Sequence, residues 1–147
     1  MPASDDGSME PTTSVIVLGD GAGRDYPCGT MRAVFKADGP ETADRYSISE
    51  WWLEPGSEGP GEHRHEANDD IFYVLSGTAT FVLDGAIVTA GPGSFVRVPP
   101  NVLHDYRNDS DEPVRLLNVY VPGGFEQEMP GIVAWFAEHA PSVGGTR

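Results

Sequence analysis

Eighteen glycines and thirteen prolines in a chain of 147 residues leave little room for long helices. Proline removes a backbone donor and glycine weakens a helix interior, whereas both suit tight turns. Between these breakers run short stretches rich in branched and aromatic residues: VIVL, MRAVFK, RYSISEWWL, IFYVLSG, TATFVLDG, AIV, SFVRVP, HDYRN and VRLLNVYV. Many short runs with turn residues at each junction predict an all-β sandwich or barrel. Helical spacing emerges only in FEQEMPGIVAWFAEHA, where Phe125, Met129, Ile132, Val133 and Phe136 fall on one stripe and Pro130 can begin a helix. The expected organisation is a disordered, polar and acidic tail over residues 1–14, a β-barrel over 15–122, and a helical segment and tail over 123–147.

Charge narrows the function classes. Twenty-three acidic residues against nine basic ones give a net charge of -14, and the basic residues are scattered singly. Nucleic acid binding needs clustered Lys and Arg, so it is not expected, and the same field repels an anionic membrane. No apolar run approaches the roughly 20 residues of a membrane helix, and MPASDDGSME lacks the basic start and apolar stretch of a signal peptide. A cytoplasmic location follows as the expectation. The single cysteine, Cys28, cannot form an internal disulfide or a Cys-rich zinc site, and it reads as a small apolar filler.

Three of the four histidines occupy two short segments. His63 and His65 are two apart, so on extended backbone both imidazoles share a face. Five residues on, Asp70 opens an apolar strand; if it faces inward, Phe72 and Val74 do too, and a buried carboxylate needs a positive partner. In GPGSFVRVPPNVLHDYRN a Pro-Pro-Asn turn leads into a strand carrying His104, with Tyr106 and Asn108 on the same face. A lone histidine is weak evidence, and His139 reads as an exposed helix residue. Three imidazoles with one carboxylate form a nitrogen and oxygen set suited to one divalent transition metal (iron, nickel, manganese, copper or zinc), with positions left for water or substrate.

These two segments resemble the motifs of the cupins. In HRHEANDDIFYVLSG the first motif is matched by His63, His65, Asp70 in the place of a glutamate, and Gly77; in the second, Gly93, Pro99, His104 and Asn108 fall in register. The resemblance covers most of residues 40–122 and implies a cupin-type jelly-roll barrel followed by the short helical segment. Asp70 is one methylene shorter than the family's glutamate, which leaves open whether it ligates directly or through water. Asn101 replaces a turn glycine and tolerates the same left-handed backbone. The segments TADRYSISEWWLEPGSEGPGEHRH, FYVLSG and VYVPGGFE are similar to the one-barrel, quercetin dioxygenase-like group, and small cupins pair through barrel strands, so a homodimer is expected.

What the resemblance implies is a dioxygenase acting on an aromatic or enolic small molecule, flavonol- or polyketide-like, with Asp70 taking the substrate hydroxyl proton. Phe72, Val74, Trp52 or its neighbour Trp51, and Tyr106 are candidate contacts for a flat substrate, against the alternative of plain barrel core. The same ligands would serve a redox-neutral cyclase, isomerase or decarboxylase, and a non-catalytic binding barrel stands third.

Overall fold

Strand alternation sets which side chains turn inward, most plainly in the runs IFYVLSG, HDYRN and VRLLNVYV. The computed structural model describes residues 14–139; the tail expected over 1–14 therefore lies, but for Ser14, outside the described residues, as do 140–147. Nine strands follow in chain order: β1 (Arg24–Cys28), β2 (Met31–Ala37), β3 (Ser47–Leu53), β4 (Asp69–Ser76), β5 (Ala79–Leu83), β6 (Ala86–Ala90), β7 (Phe95–Val98), β8 (His104–Arg107) and β9 (Val114–Val121). A one-turn helix α1 (Gly39–Thr42) links β2 to β3; a 3-10 turn (Phe125–Glu128) leads into the terminal helix α2 (Met129–Glu138).

All pairings are antiparallel. One sheet runs β1-β2-β3-β9-β4-β7 and the other β6-β5-β8, which gives the jelly-roll barrel. In β9 the alternation is plain: Val114, Leu116, Asn118 and Tyr120 are buried, while Arg115, Leu117, Val119 and Val121 turn outward. Phe35, Leu53, Phe72, Val74, Phe81, Val98, Val114, Leu116 and Met129 form the core between the sheets. Burying each such side chain is worth about 1.5–3 kcal/mol in transfer terms. Cys28 is fully buried within it, and burial pushes its thiol up to about 11, in keeping with a filler.

The VIVL run is a correction to the strand reading. Residues 15–18 are extended but join no ladder, and all four are exposed, Val15 by 89% and Val17 by 86%. The sheet begins instead at RDYPC, whose Pro27 is tolerable because β1 is an edge strand. No helix among the described residues is long and apolar enough to cross a membrane.

The terminal segment packs as its stripe implies. Met129 is fully buried, and Phe125, Ile132, Val133 and Phe136 pack against the core. Asp38 accepts the backbone N–H groups of Gly124 (2.6 Å) and Glu126 (2.7 Å), and Arg24 grips the Glu126 carboxylate from β1 at 2.6 and 2.8 Å. These bonds hold the segment across one mouth of the barrel.

Candidate metal centre

The two motifs are stitched together by main chain before any side chain is considered. His63 and His104 exchange both backbone hydrogen bonds, at 2.9 and 2.8 Å, and the Asn101 N–H donates to the His65 carbonyl at 2.8 Å. Asn101 adopts φ 69°, the left-handed turn its side chain tolerates. Gly59 lets the loop lie flat on β8: a Cβ there would stand 1.8 Å from the Tyr106 carbonyl oxygen. Asn108 pins the far end of β8, its amide donating to the carbonyls of Leu53, Glu54 and Glu112.

This frame gathers His63, His65, Asp70 and His104, whose ligand atoms all lie within 4.8 Å of one another. The ring Nδ1 of His63 faces the Gly61 carbonyl at 2.7 Å, and that of His104 faces the Val102 carbonyl at 2.8 Å. A carbonyl can only accept, so each ring keeps a proton on Nδ1 and turns a lone pair at Nε2 to the centre. His65 is braced on its Nδ1 side by the Tyr120 hydroxyl at 3.2 Å. Opposite them, Asp70 Oδ2 lies 2.9 Å from His104 Nε2 and 3.3 Å from His65 Nε2. Lone pairs facing at 2.9 Å require a cation at that spot, a proton or a metal ion. The residues thus fit a divalent metal: four convergent donors, three braced imidazoles and one buried carboxylate.

The electrostatics agree. Burial pushes the Asp70 carboxyl up, but hydrogen bonds from His104, His65 and Asn118 outweigh it and bring the group down to about 2. Burial lowers the His63 imidazole, which favours its neutral, ligating form. His104 is raised, its bond to Asp70 overcoming desolvation.

Above the donors lies a chamber of about 50 Å³, walled by Met31, Trp51, Phe72, Tyr106, Phe125 and Ile132 among others. Phe72 and Tyr106 therefore stand where a substrate contact was expected. Val74 does not: it lies deeper on the same face of β4, fully buried in core and outside the chamber wall. Trp52 is also corrected. β3 turns Trp51 inward against Tyr106, while Trp52 lies on the outer sheet face with the Arg115 guanidinium 4.4 Å from its ring centre. His139 is exposed and stacks on Trp135 at 4.0 Å.

Sequence reasoning missed Asn118 and Tyr120. Asn118 donates to Asp70 Oδ1 at 2.6 Å and to the Ile71 carbonyl at 3.0 Å, aiming the other carboxylate oxygen at the imidazoles. A polar residue at an inward position of VRLLNVYV was the available signal.

Residues 49–120 match the Cupin domain family. Over 75 residues the chain is 41% identical to quercetin 2,3-dioxygenase of Bacillus subtilis (strain 168), covering 48% of this chain and 22% of that protein. Over 59 residues it is 42% identical to gentisate 1,2 dioxygenase 1 of Aquipseudomonas alcaligenes, covering 37% of this chain and 17% of that one. The chain thus spans about a fifth of the length of these curated relatives. Among solved structures, an RmlC-like cupin from Shewanella frigidimarina NCIMB 400 has a TM-score of 0.65 at 19% identity, covering 78% of this chain and 96% of that one, a likeness of fold.

Proposed function

Since the chain belongs to the cupin family and resembles its quercetinase-like group, we propose that it is a metal-dependent dioxygenase acting on an aromatic or enolic small molecule of flavonol- or polyketide-like kind. The observation that carries this reading is the convergence of His63, His65, His104 and Asp70 at the floor of a chamber that continues outward to the surface. One divalent ion per chain, held by the three imidazoles with Asp70 bound directly or through water, would supply Lewis acidity and, for iron, nickel, manganese or copper, a redox-active centre.

This chain's own residues do the rest. Asp70, ionised at neutral pH, is placed to accept the proton of a substrate hydroxyl at Oδ2, while Asn118 holds Oδ1 and so fixes the direction of transfer. Apolar walls from Met31, Trp51, Phe72 and Phe125 exclude bulk water, which strengthens every interaction at the floor. We place the protein in the cytoplasm as a homodimer with a small-molecule substrate.

The test joins elemental analysis of protein purified without added metal to O₂ uptake on a panel of flavonols, enediols and diketones. Stoichiometric metal and O₂ consumption on one panel class is the expected result. Turnover without O₂ uptake would replace the dioxygenase by the redox-neutral alternative, and metal with no turnover would leave the binding barrel.

A further inference from the structure

The chamber over the donors has a larger one beside it. Its volume of about 50 Å³ holds a few waters or one small ligand, since a single water needs about 10–15 Å³ measured this way. Outside it opens a second chamber of about 380 Å³, within the range of about 300–1,000 Å³ that small-molecule sites occupy. The two share Pro60, His63, His65, Phe125, Ile132 and Phe136 as walls, so they are consecutive rooms of one passage. What the outer room adds is Trp135, Glu128 and the Gly61, Glu62 and Arg64 stretch of the His63 loop. Trp135 is 52% exposed, a large ring left in solvent beside an apolar cleft.

These sizes exclude a multi-ring substrate lying wholly over the donors. The outer room is poorly suited to a polyanionic one, because Arg64 is the sole cationic side chain lining it among the described residues, against Glu62 and Glu128. We infer that the substrate has two parts: a small oxygen-bearing head that enters the inner chamber, and a flat, uncharged body of one or two rings that stays outside. That body lies between the His63–His65 loop and the face of α2 made by Ile132, Trp135 and Phe136. The terminal helix is then the specificity element of the site, and the barrel floor supplies the chemistry. This inference rests on the functional reading above only through an open metal position.

Two chelators with the same head and different bodies test it on the full chain loaded with zinc, which binds ligands without redox turnover. Maltol carries the hydroxy-ketone head alone, and 3-hydroxyflavone adds the ring body. After allowance for each compound's zinc affinity in solution, titration calorimetry is expected to show 3-hydroxyflavone binding at least tenfold more tightly than maltol. Trp135→Ala, which touches no donor, is expected to cut that advantage by about three- to tenfold, the worth of one ring contact, and to leave maltol binding unchanged. Phe136→Leu, milder at a partly buried site, is expected to reduce the same ratio. An advantage that is absent, or present and unmoved by both variants, overturns the two-room substrate while leaving the metal reading intact. Failure of maltol itself to bind the zinc-loaded protein removes the open metal position and overturns both.

Discussion

Asp70 divides its work between its two oxygens: Oδ1 is tied to Asn118 and Oδ2 is turned to the imidazoles. Asp70→Asn keeps the size and removes the charge. If Oδ2 serves as the proton acceptor, turnover falls by roughly 10² to 10⁴ with metal content largely kept; elemental analysis beside initial rates reads both. Parental turnover in that variant would end the catalytic role, and loss of the metal would make Asp70 a ligand first. His104→Ala removes one Nε2 donor outright. Its metal affinity is expected to drop by more than the about 10- to 100-fold that follows loss of a ligand's hydrogen-bond partner, measured by competition with a chromogenic chelator. Full affinity would exclude His104 from the metal's ligands. The donors were legible in the chain because they lie close in sequence, His63 to Asp70, or follow a marked turn, His104 after Pro99-Pro100-Asn101. Asn118 reaches the same point from 48 residues beyond Asp70, and only the β4–β9 register, with Phe72 opposite Asn118, brings it there. Which of Trp51 and Trp52 turns inward is likewise a matter of phase, set by partner strands: Trp51 stands between Ala33 and Leu116, both buried.

Among the elements, strand existence was easier to read than strand pairing. VIVL has high β propensity, yet propensity cannot supply a partner; RDYPC, poor by composition, is a strand because β2 offers an edge to it. The terminal helix was legible from its stripe, but not what fastens it, since Arg24 and Glu126 stand 102 residues apart. That clamp gives a pH prediction. Burial raises the Glu126 carboxyl, and the bonds from Arg24 and from the Tyr26 hydroxyl at 2.7 Å pull it below the ordinary glutamate value of about 4.3. A depressed folded-state value means stability that is present above the unfolded value and lost as pH falls through the folded one. Arg24 is 43% exposed, so the salt-bridge share is screened and modest. Glu126→Gln is therefore expected to melt earlier than the parent at pH 6, with the gap closing below about pH 4. A gap that is constant between pH 6 and pH 3 would show that the clamp does not depend on the charge.

For the molecule as a whole, the metal site is a cross-link between the two sheets. Asp70 belongs to β4 in the large sheet and His104 to β8 in the small one, with His63 and His65 on the β3–β4 connection that bridges to His104. The core of Phe35, Leu53, Phe81, Val114 and Leu116 is packed without the donors, so removing the metal is expected to leave the fold intact and lower its stability. Free metal at 100 times its Kd stabilises by about 2.7 kcal/mol. For a chain of this length that is a Tm difference on the order of 10 °C between metal-loaded and chelator-stripped protein. Acid should narrow the difference. Protons compete with the metal for the imidazoles as pH falls through about 6. In the metal-free protein His104 is raised by its bond to Asp70, and a raised value means a contribution fully present below the ordinary histidine value and lost as pH rises through the folded one. His63, lowered by burial, contributes with the opposite sign, so the gain from the His104 pair in the stripped protein is offset and loss of metal from the loaded form decides the trend. Asp70, held at about 2, stays ionised throughout and does not reverse the trend above pH 4. Scanning calorimetry of both forms from pH 5 to pH 8 should show the Tm gap largest at the alkaline end. No gap at pH 8, or a gap that widens on acidification, would mean that these four side chains do not hold a metal in the folded protein.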